Sequence, residues 1–207
     1  LEHLIRFSIL LLLVISKIGE NENNSPQIII DSNLSFSQAI AGTNAPKEII
    51  DNLIIIDVEY YSFDNKLHRG QLVINKDLKN DIIEIFDFIE STKFPIAKVI
   101  PIVKYNWFDD ASMLDNNTSS FNYRKVAGKS KLSNHSFGTA IDINPLINPS
   151  VHSNGKISPS GAKYDSNAKG AIAGSSALTL EFKKHGWKWG GDWNSLKDYQ
   201  HFEKPLQ

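Results

Sequence analysis

Apolar and polar positions change their spacing several times along the chain, and each change marks an element. LIIIDVEYYS (Leu53–Ser62) and RGQLVIN (Arg69–Asn75) are β-rich, and the FDNKLH stretch between them carries the turn residues Asp64 and Asn65. Two strands joined by a loop follow. From Lys76 to Thr92 the spacing turns helical, with Ile82, Ile85, Phe86 and Ile89 on one face and Asn75 or Asp77 placed to cap it. These apolar residues are expected in the core. Pro95 and Pro101 bound a short strand within Phe94–Val103, Trp107–Leu114 has room for one or two helical turns, and Asp115–Arg124 is a polar loop. In Thr139–Asn144 a strand pattern returns, with Ala140, Asp142 and Asn144 on one face and Ile141 and Ile143 on the other, toward the core. The stretch Pro145–Gly174 has no apolar period and reads as a long loop. Ser175–His185 reads as a helix with Leu178, Leu180 and Phe182 toward the buried side, Lys183, Lys184 and His185 favouring its C-terminal dipole, and Gly186 ending it. The strand, strand, helix order predicts an α+β domain with a mainly antiparallel sheet and helices on one side.

The termini and composition narrow the setting. Arg6 precedes an apolar run from Phe7 to Ile15, too short for the roughly 20 helical residues that span a bilayer. Residues 1–19 are therefore expected to be a secretory signal peptide, with an uncleaved N-terminal anchor as the alternative and the only expected membrane contact. Residues 20–46, rich in Asn, Ser and Gln, read as a linker and irregular lead-in to a domain at 47–207. A formal net charge of -1 and 22% charged residues leave no basic footprint, so no nucleic-acid partner is expected. The chain has no cysteine, which excludes disulfides, a thiol nucleophile and cysteine-bound zinc.

The candidate chemistry lies in SNHSFGTAIDIN (Ser133–Asn144) and DYQHFE (Asp198–Glu203). A histidine and an aspartate seven positions apart are ordinary by themselves. Here Gly138 lets the chain turn between them, an apolar alternation flanks the aspartate, and a second histidine lies in an aromatic-rich tail. A catalytic zinc commonly takes three protein ligands and leaves one position for water; His135, Asp142 and His201 are the expected three. Asp198, three residues before His201, is placed to lie beside the metal without binding it, and Asp192 is the other acid available as a base. His152 and His185 would become ligands only if His135 or His201 lay far from Asp142. Trp187, Trp189 and Trp193 suit either a cleft lining or the core. Ser133 and Asn134 are candidates for orienting the His135 loop. No Gly-x-Ser-x-Gly or Ser-x-x-Lys motif offers a covalent route.

Taken together, Ser133, His135, Gly138, Ala140 and Asp142, followed by Asp198, His201 and Phe202, resemble the Ser-x-His-x-x-Gly-x-Ala-x-Asp and carboxylate-x-x-His-aromatic motifs of the zinc D-alanyl-D-alanine carboxypeptidase and L-alanyl-D-glutamate endopeptidase family. RGQLVIN, NNTSSFNYR (Asn116–Arg124), INPLINP (Ile143–Pro149) and GWKWGGDWNSLKDYQHFEKP (Gly186–Pro205) extend the similarity. The resemblance implies the fold shared with the hedgehog signalling domain, a zinc cofactor, peptidoglycan stem peptides as substrate, and an exported, cell-envelope location. It also implies Asp198 as the general base, where relatives often carry glutamate, and Arg124 as a substrate-facing arginine. Because it starts at the strand that carries Asp142, the long loop is expected to wall one side of the cleft. A second function class stays open: a non-catalytic, zinc-containing cell-wall or protein-binding module, as in hedgehog-type relatives.

Overall fold

The computed structural model describes residues 27–206, so the expected signal peptide and the first part of the 20–46 segment lie outside the described residues. In chain order the elements are β1 (Ile29–Ile30), α1 (Phe36–Ala39), α2 (Lys47–Ile50), β2 (Leu53–Tyr61), β3 (Leu67–Asn75), α3 (Lys79–Thr92), β4 (Lys98–Val99), α4 (Asp109–Leu114), β5 (Asn117–Thr118), β6 (Ala140–Asp142), β7 (Ser150–His152), β8 (Ile157–Ser158), α5 (Ala177–Lys184), β9 (Lys188–Trp189), β10 (Leu196–Asp198) and β11 (His201–Glu203). The class is α+β, but its strands do not form one dominant antiparallel sheet. They form three three-stranded sheets, β1-β3-β2, β10-β7-β8 and β6-β11-β9, and a two-stranded pair, β4-β5. Pairing is antiparallel except for β1 with β3 and β4 with β5. Strands of two or three residues carry too little alternation to reveal their partners.

The β2/β3 hairpin and α3 form the frame. Leu53 lies opposite Asn75 and Tyr61 opposite Leu67, so all nine residues of each strand pair. Asn75 caps the turn leading into α3 by accepting from the Asp77 N–H, and Ile82, Ile85, Phe86 and Ile89 are buried as expected. On the other side of the core, Phe182 of α5 stacks on Phe202 at 3.8 Å between centroids and meets Trp187 edge-on. Leu178 and Phe182, four apart, share the buried face of α5, whereas Leu180 is 56% exposed. An i, i+2 step rotates a helical side chain by about 200°, so the expectation that all three face inward is corrected. Residues 27–46 pack against the hairpin: Asp31 N donates to Arg69 O, and Ala39 and Ala45 are buried with Leu53, Val73 and Phe121.

One turn links this frame to the candidate site. Ser133 Oγ accepts from His135 N and opens a tight turn over Asn134–Phe137, which Gly138 closes at φ +64°. Gly138 O then accepts from Asn75 N at 2.9 Å, and Asn75 Nδ2 donates to Phe137 O, which fastens the turn to the end of β3. A Cβ on Gly138 would come within 2.6 Å of Asn75 N and 2.8 Å of the Ile74 carbonyl carbon. Both the positive φ and this backbone approach require glycine. Gly138→Ala is expected to destabilise the fold by at least about 1–3 kcal/mol, measured by denaturant unfolding, because although the Leu53 side chain at 2.8 Å could move aside, the Asn75 and Ile74 main-chain atoms could not.

Candidate metal centre and its surroundings

His135, Asp142 and His201 are brought together. Asp142 and His201 are direct cross-strand neighbours in the antiparallel β6/β11 pair, and His135 reaches them from the turn before β6. All three are at least 94% buried. His135 Nε2 lies 3.2 Å from Asp142 Oδ2 and 3.2 Å from His201 Nδ1, while His201 Nδ1 lies 2.9 Å from Asp142 Oδ1. His152 and His185 are elsewhere: His152 pairs opposite Leu196 in β7, and His185 contacts Glu181 at 3.1 Å.

The far nitrogens of the two rings are already committed. His135 Nδ1 donates to the Ser120 carbonyl at 2.6 Å, and His201 Nε2 donates to Glu203 Oε2 at 3.2 Å. In neutral rings those bonds place the protons on His135 Nδ1 and His201 Nε2, so that His135 Nε2 and His201 Nδ1 would offer their lone pairs to an ion held beside Asp142. Two ring nitrogens and a carboxylate crowded together in a buried space call for a cation. Nitrogen and oxygen donors about 2.0–2.2 Å from a four-coordinate ion lie about 3.3–3.6 Å from one another, so the observed separations fit a small ion after slight opening. The group could therefore hold a metal ion. Burial alone would raise the Asp142 pKa, but the two imidazoles outweigh it and hold the carboxyl far below its ordinary range. Burial likewise works against charge on His201, yet Asp142 and Glu203 hold its pKa up to about 10. The same carboxylates that favour a proton on this ring favour a metal ion in its place.

Glu203 is a residue that the motif reading quoted without giving it a role. Its carboxyl is held below the usual range by His201, against the opposing effect of burial, with help from Asn134. Asn134 Nδ2 donates to Glu203 Oε2, so Asn134 acts on the His201 side of the cluster, while Ser133 shapes the His135 turn. Glu203→Gln is expected to weaken metal affinity by about 10–100-fold, read by competition with a chromophoric chelator, since the His201 ring loses a charged acceptor.

Asp198 ends β10, opposite Ser150 of β7 in the long 145–174 segment. Its Oδ1 is buried without a hydrogen-bond partner among the described residues. Burial pushes its pKa up to about 6, with Asp142 adding to the rise and the His201 and His135 charges opposing it. Gly190 permits this placement: a Cβ there would meet Asp198 O at 2.6 Å, Asp198 Cβ at 2.8 Å and His201 Cβ at 3.2 Å. Asp192, the other acid considered, instead pairs with Lys183 at 2.7 Å and is half exposed. Trp187 and Trp189 are core residues, whereas half-buried Trp193 lies over the His201 ring at 5.2 Å between centroids. Arg124 follows Ser120 and Asn122 in the loop beside His135, and its Nη2 makes a 2.9 Å ion pair with Asp109. Its Nε is buried and unpaired among the described residues.

With this geometry in place, one comparison bears on the class of protein over part of the chain. Residues 127–204 match a peptidase family described as D-alanyl-D-alanine carboxypeptidase. The family resemblance drawn from the motifs thus holds over the segment that contains all three candidate ligands and Asp198. No solved structure matches the chain. The family match supports a peptidase and the buried His-Asp-His group a metal-dependent one.

Proposed function

We propose that the chain is a zinc peptidase of D-alanyl-D-alanine carboxypeptidase type, hydrolysing peptide bonds of peptidoglycan stem peptides in the cell envelope after export. The observation that carries this reading is the convergence of His135, Asp142 and His201 next to Asp198, one of whose carboxylate oxygens is buried and unpaired among the described residues. His135 Nε2, Asp142 and His201 Nδ1 would hold the metal. When bound, zinc supplies a Lewis acid and brings the pKa of its water to about 7. Asp198 takes a proton from the attacking water, its Oδ1 having no competing donor, and returns that proton to the leaving amine. With its pKa raised to about 6 by burial, it is a stronger base than an ordinary carboxylate and still mostly ionised at neutral pH. Arg124 offers its guanidinium to the substrate carbonyl or carboxylate and stabilises charge that develops on oxygen.

Digestion of purified muropeptides, followed by mass spectrometry with and without chelator, tests this reading. Loss of a terminal D-alanine, or cleavage between L-alanine and D-glutamate, that stops with chelator and resumes with zinc is expected. A zinc-loaded protein that cleaves no stem peptide would point to the binding-module alternative.

A further inference from the structure

Asp109 lies outside the scheme above, although it holds one of its members. Its Oδ2 pairs with Arg124 Nη2 at 2.9 Å, and its Oδ1 accepts from Asn122 Nδ2 at 3.1 Å. Arg124 is tied down at its other end as well. Its backbone N donates to Ser136 Oγ at 2.9 Å, Ser136 Oγ donates to Arg124 O at 2.7 Å, and Ser133 N donates to the same carbonyl at 3.0 Å. Ser133 and Ser136 belong to the turn that presents His135, so the arginine backbone is registered to a candidate metal ligand while its head group is registered to α4.

A surface ion pair between two otherwise free side chains contributes little, because ordering them offsets the attraction. This pair differs in that the carboxylate is held by Asn122, the arginine main chain is held by the His135 turn, and each side chain is about 70% covered. A guanidinium has five N–H donors in a rigid plane. Capturing Nη2 from one direction fixes that plane and leaves the exposed remainder of the head group, on a side chain 30% exposed, to meet an acceptor from elsewhere.

We infer that Asp109 is a positioning residue for Arg124, holding the guanidinium by Nη2 so that the exposed part of the head group is directed to an oxygen of the bound peptide. The inference rests on the reading of Arg124 as a substrate-facing residue. It extends the site to α4, an element outside the matched segment. With Asp109 in place, the rotamer freedom of the arginine is already surrendered before substrate arrives.

The test is a double-mutant cycle on the zinc-loaded full chain, with kcat and KM for a stem peptide, metal content and thermal midpoint measured for each variant. Asp109→Asn keeps the side-chain shape and is expected to lower kcat/KM about tenfold with metal content unchanged. Asp109→Glu is expected to recover part of that loss. In an Arg124→Lys background, Asp109→Asn is expected to cost almost nothing further. Wild-type kcat/KM in Asp109→Asn, or a loss that multiplies in full in the Arg124→Lys background, would overturn the inference while leaving the peptidase reading intact. A drop in metal content that accounts for the lost rate would also overturn it, by revealing a general structural role. Arg124→Lys at full activity would remove the substrate role of Arg124 and this inference together. A wild-type chain that cleaves no stem peptide would overturn the peptidase reading, visibly before any variant is compared.

Discussion

Asp198→Asn is expected to keep the metal and the fold but to lose stem-peptide hydrolysis by about 10²–10⁴-fold. The asparagine has nearly the same shape, so β10 pairing with β7 and the approach of Gly190 are preserved. What disappears is a basic oxygen. The wild-type Oδ1 is buried and unpaired among the described residues, which leaves it free for a proton, and burial raises the carboxyl pKa to about 6. The sign of the pH effect follows: the base is active when ionised, so kcat/KM falls as pH drops through the pKa, by about tenfold per unit well below it. A nearby dication favours the ionised form and moves this acid limb below pH 6. Metal content, circular dichroism and a kcat/KM profile for both proteins check the prediction; equal turnover by the asparagine variant would remove Asp198 from the role of base.

The second large effect is expected at Asp142. Asp142→Ala should abolish metal retention and turnover together, and should destabilise the protein by about 3–5 kcal/mol. This carboxylate is 5% exposed and lies between two imidazoles, at 3.2 Å from His135 and 2.9 Å from His201. Its removal leaves their nitrogens in a buried site with no anionic partner between them, while Glu203 stays on the far side of His201. Denaturant unfolding read beside metal analysis separates this from simple loss of the ion: wild-type protein treated with chelator is expected to be less destabilised than the variant. A variant as stable as the chelated wild type would contradict the structural part of the argument.

The site was legible in the sequence to the extent that its chemistry is local. His135 and Asp142 are joined by one tight turn and one short strand, and Gly138, the residue that reads as permissive, is the one whose φ and surroundings exclude a side chain. His201 is remote in sequence, yet its aromatic-rich tail and the acid three residues earlier marked it. The hairpin and α3 were equally legible, because nine-residue strands and a fourteen-residue helix repeat their pattern often enough to be read. The division into four small sheets was not, since the choice of partner for a three-residue strand depends on distant segments. Asp109 and the Ser120 carbonyl were missed for related reasons. An exposed-looking acid at the start of a short helix gives no sign of its partner, and a main-chain oxygen has no residue signature at all.

Asp142 and His201 stand on β6 and β11, whereas Asp198 stands on β10, which belongs with β7 and β8. Only Tyr199 and Gln200 join the two sheets along this part of the chain. The candidate ligands Asp142 and His201 and the proposed base are therefore mounted on separate sheets with a two-residue coupling. Remodelling of the 145–174 segment, which supplies β7 and β8, would act on the proposed base directly and on the candidate ligands only through their charges and the shared contact at Gly190.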